Sequence, residues 1–73
     1  MKRLKELRIE NGYTQLQMQM KTGIDQSDYS KIERGSRELT LKQAIIIAKL
    51  FNTSIDYLVE LTDEKAPYPS NKN

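Results

Sequence analysis

The sequence predicts a small all-α domain of five short helices, and three observations carry that reading. Apolar residues recur at a spacing near 3.6 in each longer segment and nowhere alternate over more than a few residues, the pattern of helices rather than strands. Turn-forming residues at Asn11-Gly12, Thr22-Gly23, Gly35-Ser36, Asn52-Thr53-Ser54 and Ala66-Pro67-Tyr68-Pro69 cut the chain into short pieces. Residues able to cap a helix start stand at the head of four of those pieces.

Taken in order, the first helix is predicted near residues 2–11 and ends at Asn11-Gly12. The second, near 14–21, opens on Thr14, whose hydroxyl accepts a free N–H of the first turn while Gln17, three residues on, reaches back. The third, near 25–34, opens on Asp25 and stops at Gly35. Thr40 and Gln43 repeat the capping arrangement for a fourth helix near 40–51, and Ser54 opens a fifth near 55–61. From Thr62 onward the chain is polar, holds both prolines and offers little to bury, so residues 1–61 are read as the domain and 62–73 as a flexible tail.

Only Thr22-Gly23-Ile24 joins the second and third helices, and so short a link makes two helices cross steeply. Gly23 suits that corner because a residue without Cβ takes positive φ freely. The spacing is that of a helix-turn-helix, although a tight corner in any helical bundle has it too.

Composition removes several classes. The chain has 73 residues, enough for one domain, and its zero cysteines and zero histidines exclude disulfide staples, zinc fingers, thiol nucleophiles and imidazole acid–base sites. The net charge of +2 is unevenly placed: residues 1–50 carry ten Lys/Arg against six Asp/Glu, residues 51–73 two against four. A basic excess of this size suits an anionic partner and also an ordinary solvated surface. No stretch is apolar enough to cross a membrane and no signal peptide opens the chain, which points to the cytoplasm. Asp63 and Glu64 are neighbouring acids on the tail, with no glycine-rich phosphate loop. Neither an enzyme nor a cofactor or metal site is expected.

At Leu7-Arg8, Gly12-Tyr13-Thr14-Gln15, Gly23-Ile24, Gln26-Ser27, Ser30-Lys31-Ile32-Glu33-Arg34-Gly35, Ile47-Ala48 and Ser54-Ile55-Asp56-Tyr57-Leu58, the chain resembles the Xre family of Cro and phage-repressor type. Their order and intervals run from about Leu4 to Leu61. The resemblance implies a five-helix lambda-repressor-like fold and a dimeric regulator, most simply a repressor, that lays the third helix into the major groove of a palindromic operator in double-stranded DNA. Base reading falls to Gln26, Ser27, Ser30 and Lys31, since a glutamine can bond twice to an adenine edge and a lysine can reach guanine or phosphate. Asp28 either accepts from a cytosine amino group or serves as a favourable acid in the first turn. Thr14 and Gln15, at the N-terminus of the second helix, and Arg34 and Arg37, near the end of the third, are assigned to DNA phosphate. The resemblance also pairs Arg8 with Glu33 in a structural role.

The chain departs from the family pattern at Gln19, where a small alanine is usual, at Thr22 and at Tyr29. Gln19 must either open the helix crossing or turn its amide to a partner, and the Tyr29 hydroxyl needs a partner or a route to solvent. Ile9, Leu16, Met20, Ile46 and Leu50 are apolar where the family is polar, outside the stripe that Met18 or Leu41, Ala44, Ala48 and Phe51 would bury. From these we expect a dimer or partner surface at Ile46, Leu50, Tyr57 and Leu61. The alternative is that helix rotation or the tail at Pro67-Tyr68-Pro69 covers the outward pairs. A protein-interaction adaptor, or an antitoxin-like partner-binding protein, is the competing function on the same fold.

Overall fold

The computed structural model describes residues 1–69, in which the elements are α1 (Lys2–Glu10), α2 (Gln15–Thr22), α3 (Gln26–Arg34), α4 (Leu41–Leu50) and α5 (Ile55–Leu58). There is no strand among the described residues. All four capping residues act at their helix starts. Thr14 and Thr40 form reciprocal boxes with Gln17 and Gln43, Asp25 accepts from the Ser27 N–H at 3.0 Å, and the Ser54 hydroxyl accepts from the Tyr57 N–H at 3.0 Å. The start of α1 has no side-chain cap. There the Met1 nitrogen instead donates to the carbonyl of Glu33 at 2.7 Å, joining the head of α1 to the foot of α3.

Gly23 ends α2 at φ 77°, in the left-handed region that its corner requires. The fifth helix is shorter than its pattern suggests. It stops at Leu58, because Glu60 takes φ 65° and the Leu61 N–H closes back onto the Asp56 carbonyl at 2.8 Å. Leu61 therefore stands past the helix, not on it.

The core is a single cluster of Leu4 and Leu7 from α1, Met18 from α2, Ile24 from the corner, Tyr29 and Ile32 from α3, Ile47 and Ala48 from α4, and Leu58 from α5. Complete burial of each large side chain contributes roughly 1.5–3 kcal/mol, and the cluster draws on every helix, so no helix is peripheral. α2 packs on both α3 and α4, while α1 braces α3 and α5. α3 is thus held from behind on two sides, with its remaining face outward.

Two expectations about α4 are corrected. Leu41, placed in the buried stripe, is 71% exposed; it stands in the first turn, where it borders an open groove instead of a neighbouring helix. Leu50, placed outward, is half-buried and packs on the core, as does Tyr57. α4 touches both α2 and α5, so it buries a wider arc than one stripe.

Residues 62–69 of the expected tail run back over the domain; residues 70–73 lie outside the described residues. Arg3 donates to the Thr62 carbonyl and to Asp63, its guanidinium lying 4.2 Å from the Tyr57 ring centre. Thr53 donates to the Lys65 carbonyl at 2.6 Å, Lys65 pairs with Glu10, and the Tyr68 hydroxyl donates to Asp56 at 2.5 Å. Pro67 and Tyr68 border Ile45, Ala48 and Lys49, which is not where Ile46 and Leu50 lie.

Candidate nucleic-acid interface

α3 presents the site, and its sequence sets which residues face out. Tyr29, Ile32 and Glu33 are buried, and at 100° per residue the opposite side is the ridge of Ser27, Lys31 and Arg34, flanked by Ser30. Ser27, Lys31, Arg34 and Gln26 are exposed, and Ser30 is half-buried, accepting from Arg34 Nη1 at 3.0 Å. Four of the five expected base-reading residues therefore stand on the outward side or at its leading end. Asp28 flanks the ridge on the side away from Ser30. It lies about 60° round the helix from Lys31, half-buried beside a cleft lined by Lys42, Gln43 and Ile46 of α4, and its Oδ1 accepts from Arg37 Nη1 at 2.8 Å.

Gln19 answers its own difficulty at the crossing. Its Oε1 accepts the Gln26 N–H at 2.6 Å, so the amide joins α2 to the first residue of α3 in place of the close contact a smaller side chain would make. Thr22 is also satisfied: its hydroxyl donates to the Met18 carbonyl at 2.6 Å and accepts the Ile24 N–H at 3.2 Å. Tyr29 is fully buried, and its hydroxyl makes no hydrogen bond among the described residues. Burial, reinforced by the neighbouring Glu33 carboxylate, pushes that phenol well above its ordinary range.

Behind the ridge, Arg8 grips Glu33 with two parallel hydrogen bonds, Nε to Oε2 at 2.9 Å and Nη2 to Oε1 at 2.8 Å, and gives a third at 2.9 Å to the Tyr13 carbonyl. Burial acts to raise the Glu33 carboxyl; the two hydrogen bonds and the charge of Arg8 outweigh it and hold the group below its usual value. The same bonds raise Arg8.

Thr14 and Gln15 stand at the N-terminus of α2, where unpaired N–H groups and the helix dipole favour an anion. The Thr14 oxygen is occupied in capping, which leaves its hydroxyl hydrogen free to donate. Arg37, in the loop after α3, is half exposed at its side chain. The ridge, the α2 N-terminus and these arginines can give hydrogen-bond donors and positive charge to a polyanion, with Gln26 and Lys31 able to contact base edges. No helix among the described residues is long and apolar enough to cross a membrane.

The residues of the expected contact surface differ in their surroundings. Ile46 borders the cleft beside the α2–α3 corner, Tyr57 lies against Arg3 of α1, Leu50 packs on the core, and Leu61 is exposed. Leu41 and Val59 are exposed apolar residues that share a groove, with Leu39, Ala44 and Ile55 also along it; Ile45 and Tyr68 share another, where the tail crosses α4. Leu41 follows the cap Thr40 directly, so its place at the rim of a helix start was the available signal.

Two short helices crossing at a glycine corner, the second buttressed by an arginine–glutamate pair and turned outward by three buried residues, define a helix-turn-helix domain. A family model described as helix-turn-helix matches residues 4–58. The chain belongs to this family, of the Xre or lambda-repressor-like type. It is 37% identical over 71 residues to the uncharacterized HTH-type transcriptional regulator YobD of Bacillus subtilis (strain 168), covering 97% of this chain and 63% of that protein. It is 38% identical over 58 residues to the HTH-type transcriptional regulator ImmR of the same organism, covering 80% of this chain and 46% of that protein. The chain thus spans about half to two thirds of the length of these relatives. No solved structure matches.

Proposed function

We propose that this protein is a sequence-specific DNA-binding regulator of transcription, acting in the cytoplasm as a dimeric repressor on a palindromic operator. The observation that carries the reading is the outward ridge of α3, where Ser27, Ser30, Lys31 and Arg34 stand over a buried, salt-bridged back, with Gln26 at its leading end. Gln26 and Lys31 read bases, Ser27 and Ser30 add shorter contacts, and Thr14, Gln15, Arg34 and Arg37 hold phosphates. The two YobD and ImmR relatives, both HTH-type transcriptional regulators by name, support a role in transcription.

The dimer contact is assigned to the groove of Leu41 and Val59, with a second copy of this chain as its occupant. Gly35 and Arg37, which follow α3, line the same groove, so a two-fold contact there brings two α3 helices to one side of the dimer. Such a dimer reads half-sites about 34 Å apart.

Selection of duplexes from a random library at two salt concentrations tests the function. The expected result is a palindrome with half-sites one helical turn apart and a salt slope of several phosphates; failure to enrich any sequence overturns it. A second reading, an adaptor that binds another protein, is favoured by Met20 at 78% and Leu16 at 52% exposure on α2. Retention of DNA selection by Leu16→Ser with Met20→Ser would count against it as the main role.

A further inference from the structure

We infer that Asp28 is a positioning residue, which acts on DNA through Arg37 and does not itself read a base. The inference rests on the DNA-binding function proposed above and assigns a role within that interface. Asp28 is the one acid on α3 outside the buried Arg8–Glu33 pair, and an acid beside a phosphate backbone is a liability unless its charge is engaged. Here it is engaged. Asp28 Oδ1 lies 2.8 Å from Arg37 Nη1, and the residue sits on the α4 flank of α3, off the ridge of Ser27, Lys31 and Arg34.

The geometry of the pair is informative in its incompleteness. A fork-to-fork arginine–carboxylate pair uses two parallel bonds, as Arg8 and Glu33 do, whereas Asp28 takes only one of the five N–H donors of Arg37. The other four make no hydrogen bond among the described residues, and the side chain is 51% exposed. A pair this exposed adds little to folding stability. It does restrict a long, rotamer-rich side chain on a loop, with most of its donors still free for a phosphate, and ordering that side chain beforehand removes part of the entropy lost on binding. The carboxylate meanwhile keeps its neutralising partner and stays clear of the bases.

The test is binding by the full chain and its Asp28→Ala, Asp28→Asn, Arg37→Ala and doubly substituted Asp28→Ala/Arg37→Ala forms, with helicity checked by circular dichroism. The probes are the most enriched library duplex and an unselected duplex, each over a range of salt. Expected is a loss of about three- to tenfold for Asp28→Ala on both probes, with unchanged base preference and salt slope. Asp28→Asn, whose amide oxygen still accepts from Arg37, keeps most of the affinity. Arg37→Ala lowers the salt slope by about one, and in that background Asp28→Ala costs nothing further. Three results overturn the inference while leaving the DNA function standing: altered preference at one base position, tighter binding by Asp28→Ala, or additive losses in the double form. Absence of duplex binding by the unsubstituted chain overturns the function and this inference together.

Discussion

Arg8 and Glu33 bind one another across the α1–α3 contact through two parallel hydrogen bonds of 2.9 and 2.8 Å, with the carboxylate side chain only 4% exposed. The pair does more than add charge to the interior. Because Arg8 also holds the Tyr13 carbonyl, it ties α1, the turn before α2 and the end of α3 into one unit. The ridge that faces outward is therefore fixed by a bond on its hidden side.

Removing one member leaves the other buried and unpaired. Arg8→Met is expected to cost about 3–5 kcal/mol, enough to unfold much of a small domain, and Glu33→Gln less, since an amide oxygen still accepts from Arg8. Urea denaturation of both variants checks the order.

The pair also gives stability a pH dependence. Glu33 is held below the ordinary glutamate value of about 4.3, so in acid the unfolded chain takes up its proton first. The stabilisation is fully present above about pH 5 and disappears as pH falls through the lowered folded value. Thermal midpoints measured from pH 6 down to pH 2.5 should fall less steeply for Glu33→Gln than for the unsubstituted chain; equal slopes would mean that other carboxylates dominate.

Beside this pair the Tyr29 hydroxyl is buried without a hydrogen bond, and a buried donor left unpaired costs about 1–3 kcal/mol. Tyr29→Phe keeps the ring and its packing while deleting that group. It is expected to leave the domain as stable as before or up to about 2 kcal/mol more stable. A loss of stability in chemical denaturation would mean that the hydroxyl supports Glu33 in solution.

Gln19 and Gln26 give a separate test of how α3 is set on α2. Gln19→Ala removes the acceptor from the Gln26 N–H and should cost about 1 kcal/mol, the usual effect of losing a helix-start acceptor. Gln19→Glu retains an acceptor oxygen and adds a favourable charge at the start of α3, so it should match the unsubstituted chain in stability. If alanine proves equal or better, the tighter crossing outweighs the bond.

These cases show which parts of the molecule were legible in its sequence. The two capping boxes were, because a threonine and a glutamine three residues apart meet only if a helix begins between them, whatever lies elsewhere. The corner at Gly23 was legible for the same local reason. Arg8 and Glu33 are 25 residues apart, and only resemblance to a family joined them. Nothing in the sequence joins Gln19 to the Gln26 backbone, Asp28 to Arg37, or Arg3 to Thr62 and Asp63. Such pairs depend on how helices are set against one another, a property of the whole core. Leu41 and Leu50 exchanged roles because a helical wheel ranks directions around an axis and says nothing of where along it a neighbour ends.

That exchange decides how the proposed dimer contact should be tested. Leu41 and Val59 are 71% and 47% exposed along one groove, so Leu41→Lys with Val59→Lys removes no core contact and is expected to leave circular dichroism and urea midpoint nearly unchanged. In sedimentation equilibrium the same protein should remain monomeric at concentrations where the unsubstituted chain is a dimer, because two lysines on each copy face their symmetry mates across a contact centre that must be apolar. Ile46→Lys with Leu50→Lys should behave in the opposite way. Leu50 packs on the core, so its replacement lowers stability by about 2 kcal/mol or more, and dimerisation of the molecules that remain folded should persist. Dissociation by the second pair without loss of stability, and none by the first, would move the contact from the α4–α5 groove to the Ile46 face.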